Sequence, residues 1–170
     1  MAKPEKSEYP AFYHGYVERV SEEDLNNALV NSLESFKAFA STIPQDKFEY
    51  RYAENKWKLK EVLLHIADTE RVMQYRALRF SRNDKTPLPG FDENDFMKNS
   101  NSVNLTFEEI VQDLIHVRNS TISFFKACSD LMLMRNGVAN NGNITVRALG
   151  FIIAGHQAHH INVINTRYLV

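Results

Sequence analysis

The chain has 170 residues, of which 44% are hydrophobic and 24% charged, enough to bury a substantial core without disulfide or metal staples. Lysine and arginine number 20 against 21 acids, a formal charge of −1, which excludes a global field for drawing in nucleic acid or an anionic membrane. Cys128 is the only cysteine, the start MAKPEKSEYP lacks a secretory pattern, and no apolar run approaches the roughly 20 residues that span a bilayer, so a cytoplasmic protein is expected.

One domain is expected over residues 1–170, opening with an arm at 1–20. Phe12, Tyr13 and Tyr16 stand there among turn residues; ordinary aromatic packing is the default reading, the arm could cover an end of the bundle or line a pocket, and a disordered tail is the alternative. Four helix starts follow, each with an apolar residue before the cap and another at the fourth helical position. Val20 and Leu25 bracket Ser21, and the first helix is expected from Ser21 to about Ile43, ahead of Pro44, with Leu25, Leu29, Phe36 and Ala40 inward. Trp57 and Val62 bracket Lys58, a poor cap supported by Glu61, and a second helix is expected to about Ser81.

Residues 83–105 form a polar crossover punctuated by Pro87, Pro89 and Gly90, too long for a tight turn. Thr106 and Glu109 make a capping box for a third helix, whose apolar positions are traced through Phe125 and Cys128 to Met132. Thr145 starts a fourth, which runs without a breaker to Val170. The expected fold is all-α: a four-helix bundle, up-down-down-up, with the crossover joining the parallel second and third helices.

In the fourth helix His156 and His160 lie four residues apart on one face. They continue the inward stripe of Val146, Leu149 and Ile153, where apolar side chains normally sit, so their ring nitrogens need a partner. His159 falls on the neighbouring stripe of Ala148, Ile152 and Gly155 and is expected to be an outer or surface residue. His65 lies on the shoulder of the second helix's apolar face, from which it could meet the fourth helix. Three imidazoles suit zinc, nickel or iron and leave coordination space for water or substrate. A core histidine held by ordinary hydrogen bonds is the competing reading for each taken singly.

Other candidates are better explained by structure. Glu61, Asp68 and Glu70 near His65 could orient an imidazole or transfer a proton but read first as solvated helix charges; Arg76 and Arg79 could bind an anion but read first as salt-bridged or solvated cations; Cys128 reads as a packed thiol and Trp57 as a packing anchor. His14 and His116 have no supporting context. No phosphate loop, nucleophile elbow or cysteine-rich zinc motif occurs.

Three stretches, ENKWKLKEVLLHIADTERVMQYRALRF, LPGFDENDF and GFIIAGHQAHHINVI, resemble the DinB-like superfamily, particularly its DinB-2 branch. The resemblance implies a bundle with a three-histidine metal centre at His65, His156 and His160 and a possible homodimer; Lys58 departs from the serine often found after the tryptophan. It also implies a metal-dependent transferase in which a low-molecular-weight thiol is activated to attack an electrophilic small molecule. Hydrolysis by metal-bound water is the alternative enzyme reading, and a noncatalytic metal- or ligand-binding bundle the alternative class.

Overall fold

The computed structural model describes residues 1–170. Two 3-10 turns, Lys6–Glu8 and Ala11–Tyr13, lead into a one-turn helix α1 (His14–Val17). Helix α2 spans Leu25–Ala40, starting later and ending earlier than the Ser21 to Ile43 expected. The cap is Asp24, whose carboxylate accepts the backbone N–H groups of Asn26 and Asn27 at 3.0 and 3.1 Å and is held at 2.6 Å by the amino group of Met1. Ser21 spends its hydroxyl on Glu22 instead. A fixed carboxylate at a helix N-terminus gains from the helix dipole as well as from the capping bonds.

Helix α3 (Leu59–Ser81) starts where expected. Lysine is a poor cap, but the Lys58 backbone N–H donates to Glu61 at 2.7 Å, which supplies one arm of a capping box. The crossover contains a short helix α4 (Glu93–Lys98), capped by Asp92. Helix α5 (Phe107–Lys126) has the full reciprocal box between Thr106 and Glu109. It stops before Cys128 and Met132; Ser129 caps a separate turn α6 (Asp130–Leu133), so the apolar pattern continues across a break in the helix.

A hairpin unforeseen in the sequence reading follows. Strand β1 (Asn136–Ala139) pairs antiparallel with β2 (Gly142–Thr145). The two-residue turn places Asn140 and Asn141 at φ 48° and 61°, the left-handed backbone that primed hairpin turns require and that asparagine tolerates best after glycine. Leu88 of the crossover bonds to this hairpin through Val138 and Asn140. Thr145 then caps helix α7 (Val146–Arg167), which ends three residues short of the terminus.

Side-chain pairs fix the helix directions. Arg71 meets Asp113 and Gln74 meets Ser120, so α3 and α5 run parallel. Trp57 meets Tyr168 while His65 meets His156, so α3 and α7 run antiparallel. Leu25 lies by Gly150 and Ser32 by Gln157, which makes α2 parallel to α7. The result is the expected up-down-down-up bundle. Helices α2 and α3 each pack on both α5 and α7, so sequence-consecutive antiparallel helices occupy opposite corners instead of adjacent ones. No helix is long and apolar enough to cross a membrane.

Helix α7 is buried on more than its predicted stripe: Ala148, Ile152 and Gly155 are buried too. The N-terminal arm covers them, adding Tyr9, Val17 and Val20 to the core. Fully buried Phe36, Leu63 and Leu114 fill the opposite half of the bundle, each contributing roughly 1.5–3 kcal/mol of burial free energy. Between α2, α3 and α5 sits a buried ion pair: Arg118 donates two bonds to Glu70, both at 2.8 Å. Its third contact is the Ser32 hydroxyl. Glu70 is thus neither solvated nor directed at His65.

Candidate metal centre

His65 reaches the fourth-helix pair across the α3–α7 contact. Its Nε2 lies 3.2 Å from Nε2 of His156, and Nε2 of His160 lies 3.1 Å from that same atom. The three ligating atoms fall within 4.8 Å of one another. Mutual hydrogen bonds cannot satisfy this cluster. A neutral imidazole carries one N–H, so His156 Nε2 cannot accept from one neighbour through its lone pair and donate to the other. A cation shared by three lone pairs resolves the conflict, and nitrogens about 2.0–2.1 Å from a tetrahedral ion stand a little over 3 Å apart. The donor set fits a divalent transition metal.

The rings are held from outside the cluster. With Nε2 turned inward, Nδ1–H of His65 can donate to Thr69 Oγ1 at 3.4 Å, one turn along the same helix. Trp57 packs against the His65 ring at 4.8 Å, anchored through its carbonyl by the Tyr168 hydroxyl at 2.9 Å. Trp57 is therefore a packing anchor, and what it anchors is a candidate ligand. Tyr16 of α1 meets the rings of both His156 and His159 edge-on at 5.4 Å. His159 is half-buried beneath Tyr16 and outside the cluster.

Burial keeps the imidazoles neutral. Desolvation lowers the His65 pKa to about 4, against a smaller opposing effect of Glu93. Desolvation also lowers His160 to about 3 and His156 well below its ordinary value, with neighbouring histidines adding to both shifts. At neutral pH the lone pairs are free for a metal. The consequence for stability has a definite sign. An unfolded histidine titrates near pH 6.5, so below that the unfolded chain binds protons that the native cluster refuses, and stability falls with pH. Metal-free protein should lose stability from about pH 6.5 down toward pH 4, and a His65→Gln variant should lose less over that window, as read by melting temperature. Equal pH slopes for the two proteins would contradict the assignment.

Two cavities open on the cluster. One, about 170 Å³, is lined by Phe12 and Tyr13 and reaches His65 and His156. The other, about 290 Å³, is bounded by Trp57, Tyr168 and His160. Glu93 of α4 borders both. Nothing in LPGFDENDF singles it out, because its position depends on how the crossover folds back. No periodicity marks it. The aromatic arm lines the first cavity through Phe12, Tyr13 and Tyr16, beyond the ordinary packing that is its default reading.

The remaining candidates lie elsewhere. Glu61 caps α3, Asp68 pairs with Arg71 at 3.6 Å, and Arg79 pairs with Asp84. Cys128 donates to the Phe124 carbonyl at 3.4 Å, and burial raises its thiol pKa. His14 bonds Glu18 at 2.8 Å, while His116 is exposed on α5. Arg76, like Glu70, departs from its first expectation, being buried without a carboxylate partner.

Gly155 sets how closely the arm approaches. A Cβ there would stand 1.9 Å from the Tyr16 carbonyl oxygen, which explains a glycine inside a helix despite its entropic cost. Gly155→Ala should displace α1, lower stability by roughly 1–3 kcal/mol as overpacking does, and release Tyr16 from His156. Tyrosine fluorescence and thermal melting would report this; wild-type values in both would refute the contact.

Fold and cluster together define a class: four-helix bundles of this connectivity with three histidines converging from two helices. The sequence pattern of the DinB superfamily matches residues 28–164, and the chain belongs to that superfamily. A protein of Oceanobacillus iheyensis named "Putative metal-dependent hydrolase" is 24% identical over 123 residues, 71% of this chain and 70% of its own. The fold matches that of YfiT from Bacillus subtilis, described as a probable metal-dependent hydrolase with an unusual four-helix bundle topology. That match has a TM-score of 0.69 at 15% identity and covers 96% of this chain and 90% of the other.

Proposed function

We propose that His65, His156 and His160 bind one divalent transition metal, zinc or nickel ahead of iron, and that the centre hydrolyses a small molecule bound in the cavity beside His65. The observation that carries this is the convergence of three neutral Nε2 atoms between two cavities, His65 and His156 lining one and His160 the other. Three protein ligands leave a position free, and a divalent ion so held polarises a carbonyl and acidifies coordinated water. Trp57, Thr69 and Tyr16 fix the imidazoles in the geometry they already hold. Glu93 is the carboxylate placed to accept a proton from the attacking group, as the only acid bordering either cavity.

A second reading is transfer of a low-molecular-weight thiol to an electrophile. The second cavity favours it, because a thiol could enter beside His160 while the electrophile occupies the His65 side. Assays of metal-loaded protein on ester, amide and electrophile panels, with and without thiols, separate the two. Thiol-independent turnover that is abolished by chelation is the expected result; strict thiol dependence would replace hydrolysis with transfer. Failure of both, with metal still bound, would favour a noncatalytic bundle. A homodimer is part of this reading, checked by solution mass against the 19.7 kDa chain; a concentration-independent monomer would remove it.

A further inference from the structure

We infer that Arg76 is the anion-recognition residue of the cavity beside His65, and that the ligand bound there is a small molecule with an apolar body and an oxyanion head, a carboxylate or phosphate. The inference rests on the hydrolase reading only in naming this ligand as the substrate. Arg76 is 3% exposed, and a buried guanidinium is ordinarily matched by a carboxylate because its charge has left water. Arg118, the other deeply buried arginine, has Glu70. Arg76 has none: it donates to the Pro89 carbonyl at 2.8 Å and meets the Met73 sulfur at 3.6 Å. The Phe91 ring lies 6.0 Å away, at the outer limit of a cation–π contact. Its donor fork holds five N–H groups, so donors remain free where the side chain borders the cavity.

The surroundings suit one kind of ligand. Arg76 follows His65 by eleven residues on α3, with Thr69 and Met73 between them on the same cavity wall. At about 1.5 Å per residue the two positions are separated along the helix, so they serve different parts of one ligand. Phe12, Met73, Phe91 and Ile152 give that ligand an apolar midsection. A volume near 170 Å³ compares with the cavity of about 150 Å³ that admits benzene. Glu93 borders the same space but forms no ion pair with Arg76. The crossover forms part of the wall: Pro89 engages Arg76, and Gly90 passes so close to Asn140 that a Cβ would lie 2.5 Å from its Oδ1.

The test uses full-length, metal-free protein and the probes phenylacetate, phenylacetamide and phenyl phosphate, with the Met73 methyl as an NMR reporter inside the cavity. Phenylacetate or phenyl phosphate should bind at least about tenfold more tightly than the neutral amide, as expected for a charge-assisted fork, and the tighter of the two identifies the head group. Arg76→Gln should abolish the discrimination, and Arg76→Lys should retain part of it. Equal binding of anion and amide by the wild type, absence of binding by all three, or discrimination surviving in Arg76→Gln would each overturn the inference. The wild-type comparison can overturn the inference even if both variants unfold. Wild-type protein that takes up metal but does not discriminate anion from amide defeats this inference alone. Retained discrimination in protein that takes up no metal defeats the hydrolase reading alone.

Discussion

Replacing His156 with alanine is expected to lower metal content from near one equivalent to background and to lower turnover by more than about 100-fold. The reason is geometric. His156 Nε2 is the atom common to both short contacts in the cluster, so its removal separates His65 from His160 rather than trimming one edge. Loss of a group that merely orients a ligand typically costs about 10–100-fold in metal affinity or activity, and loss of a ligand should exceed that. His65→Ala and His160→Ala should follow closely. His159→Ala is the control, because its ring contacts Tyr16 and His160 from outside the cluster. Metal analysis of untagged protein reads all four. Full occupancy in the three ligand variants, or a larger loss from His159→Ala than from His160→Ala, would overturn the centre.

The second large effect lies away from the site. Glu70→Ala should destabilise the protein by about 3–5 kcal/mol, because it leaves the Arg118 guanidinium buried and unpaired. Arg118 is fully buried and Glu70 is 2% exposed, so neither can turn to water without opening the packing of α2, α3 and α5. For a chain of this size each kcal/mol moves the melting temperature by roughly 2–4 °C, giving a fall of roughly 6–20 °C. The double substitution Glu70→Leu with Arg118→Met should recover much of the loss by removing both charges together. A Glu70→Ala protein melting within a degree or two of wild type would show that water reaches the pair.

That pair illustrates the limit of reading charges along a helix. Glu70 looks like any acid beside a polar stretch of α3, and only the approach of Arg118 from a helix 48 positions away makes it a core residue. Arg76 is the converse. Its sequence surroundings suggest solvent or a salt bridge, but the crossover folds over it and brings a backbone carbonyl instead of a carboxylate. The hairpin at Asn136–Thr145 does carry a local signal, since Asn140-Asn141 between short β-capable segments is a turn pair, but the apolar spacing of α5 that runs on to Met132 masks it.

What the sequence determined by itself is local and periodic. Capping residues at Lys58, Thr106 and Thr145 mark where three long helices begin, because unsatisfied N–H groups at a helix start need acceptors within a few residues. The four-residue spacing puts His156 and His160 on one face whatever packs against them. Tertiary structure alone decided the rest. It brought His65 to that face, covered α7 with the arm, and set Glu93 and Arg76 on the cavity walls. Those placements depend on contacts between residues tens of positions apart, and helical periodicity carries no information about which face of another helix will arrive.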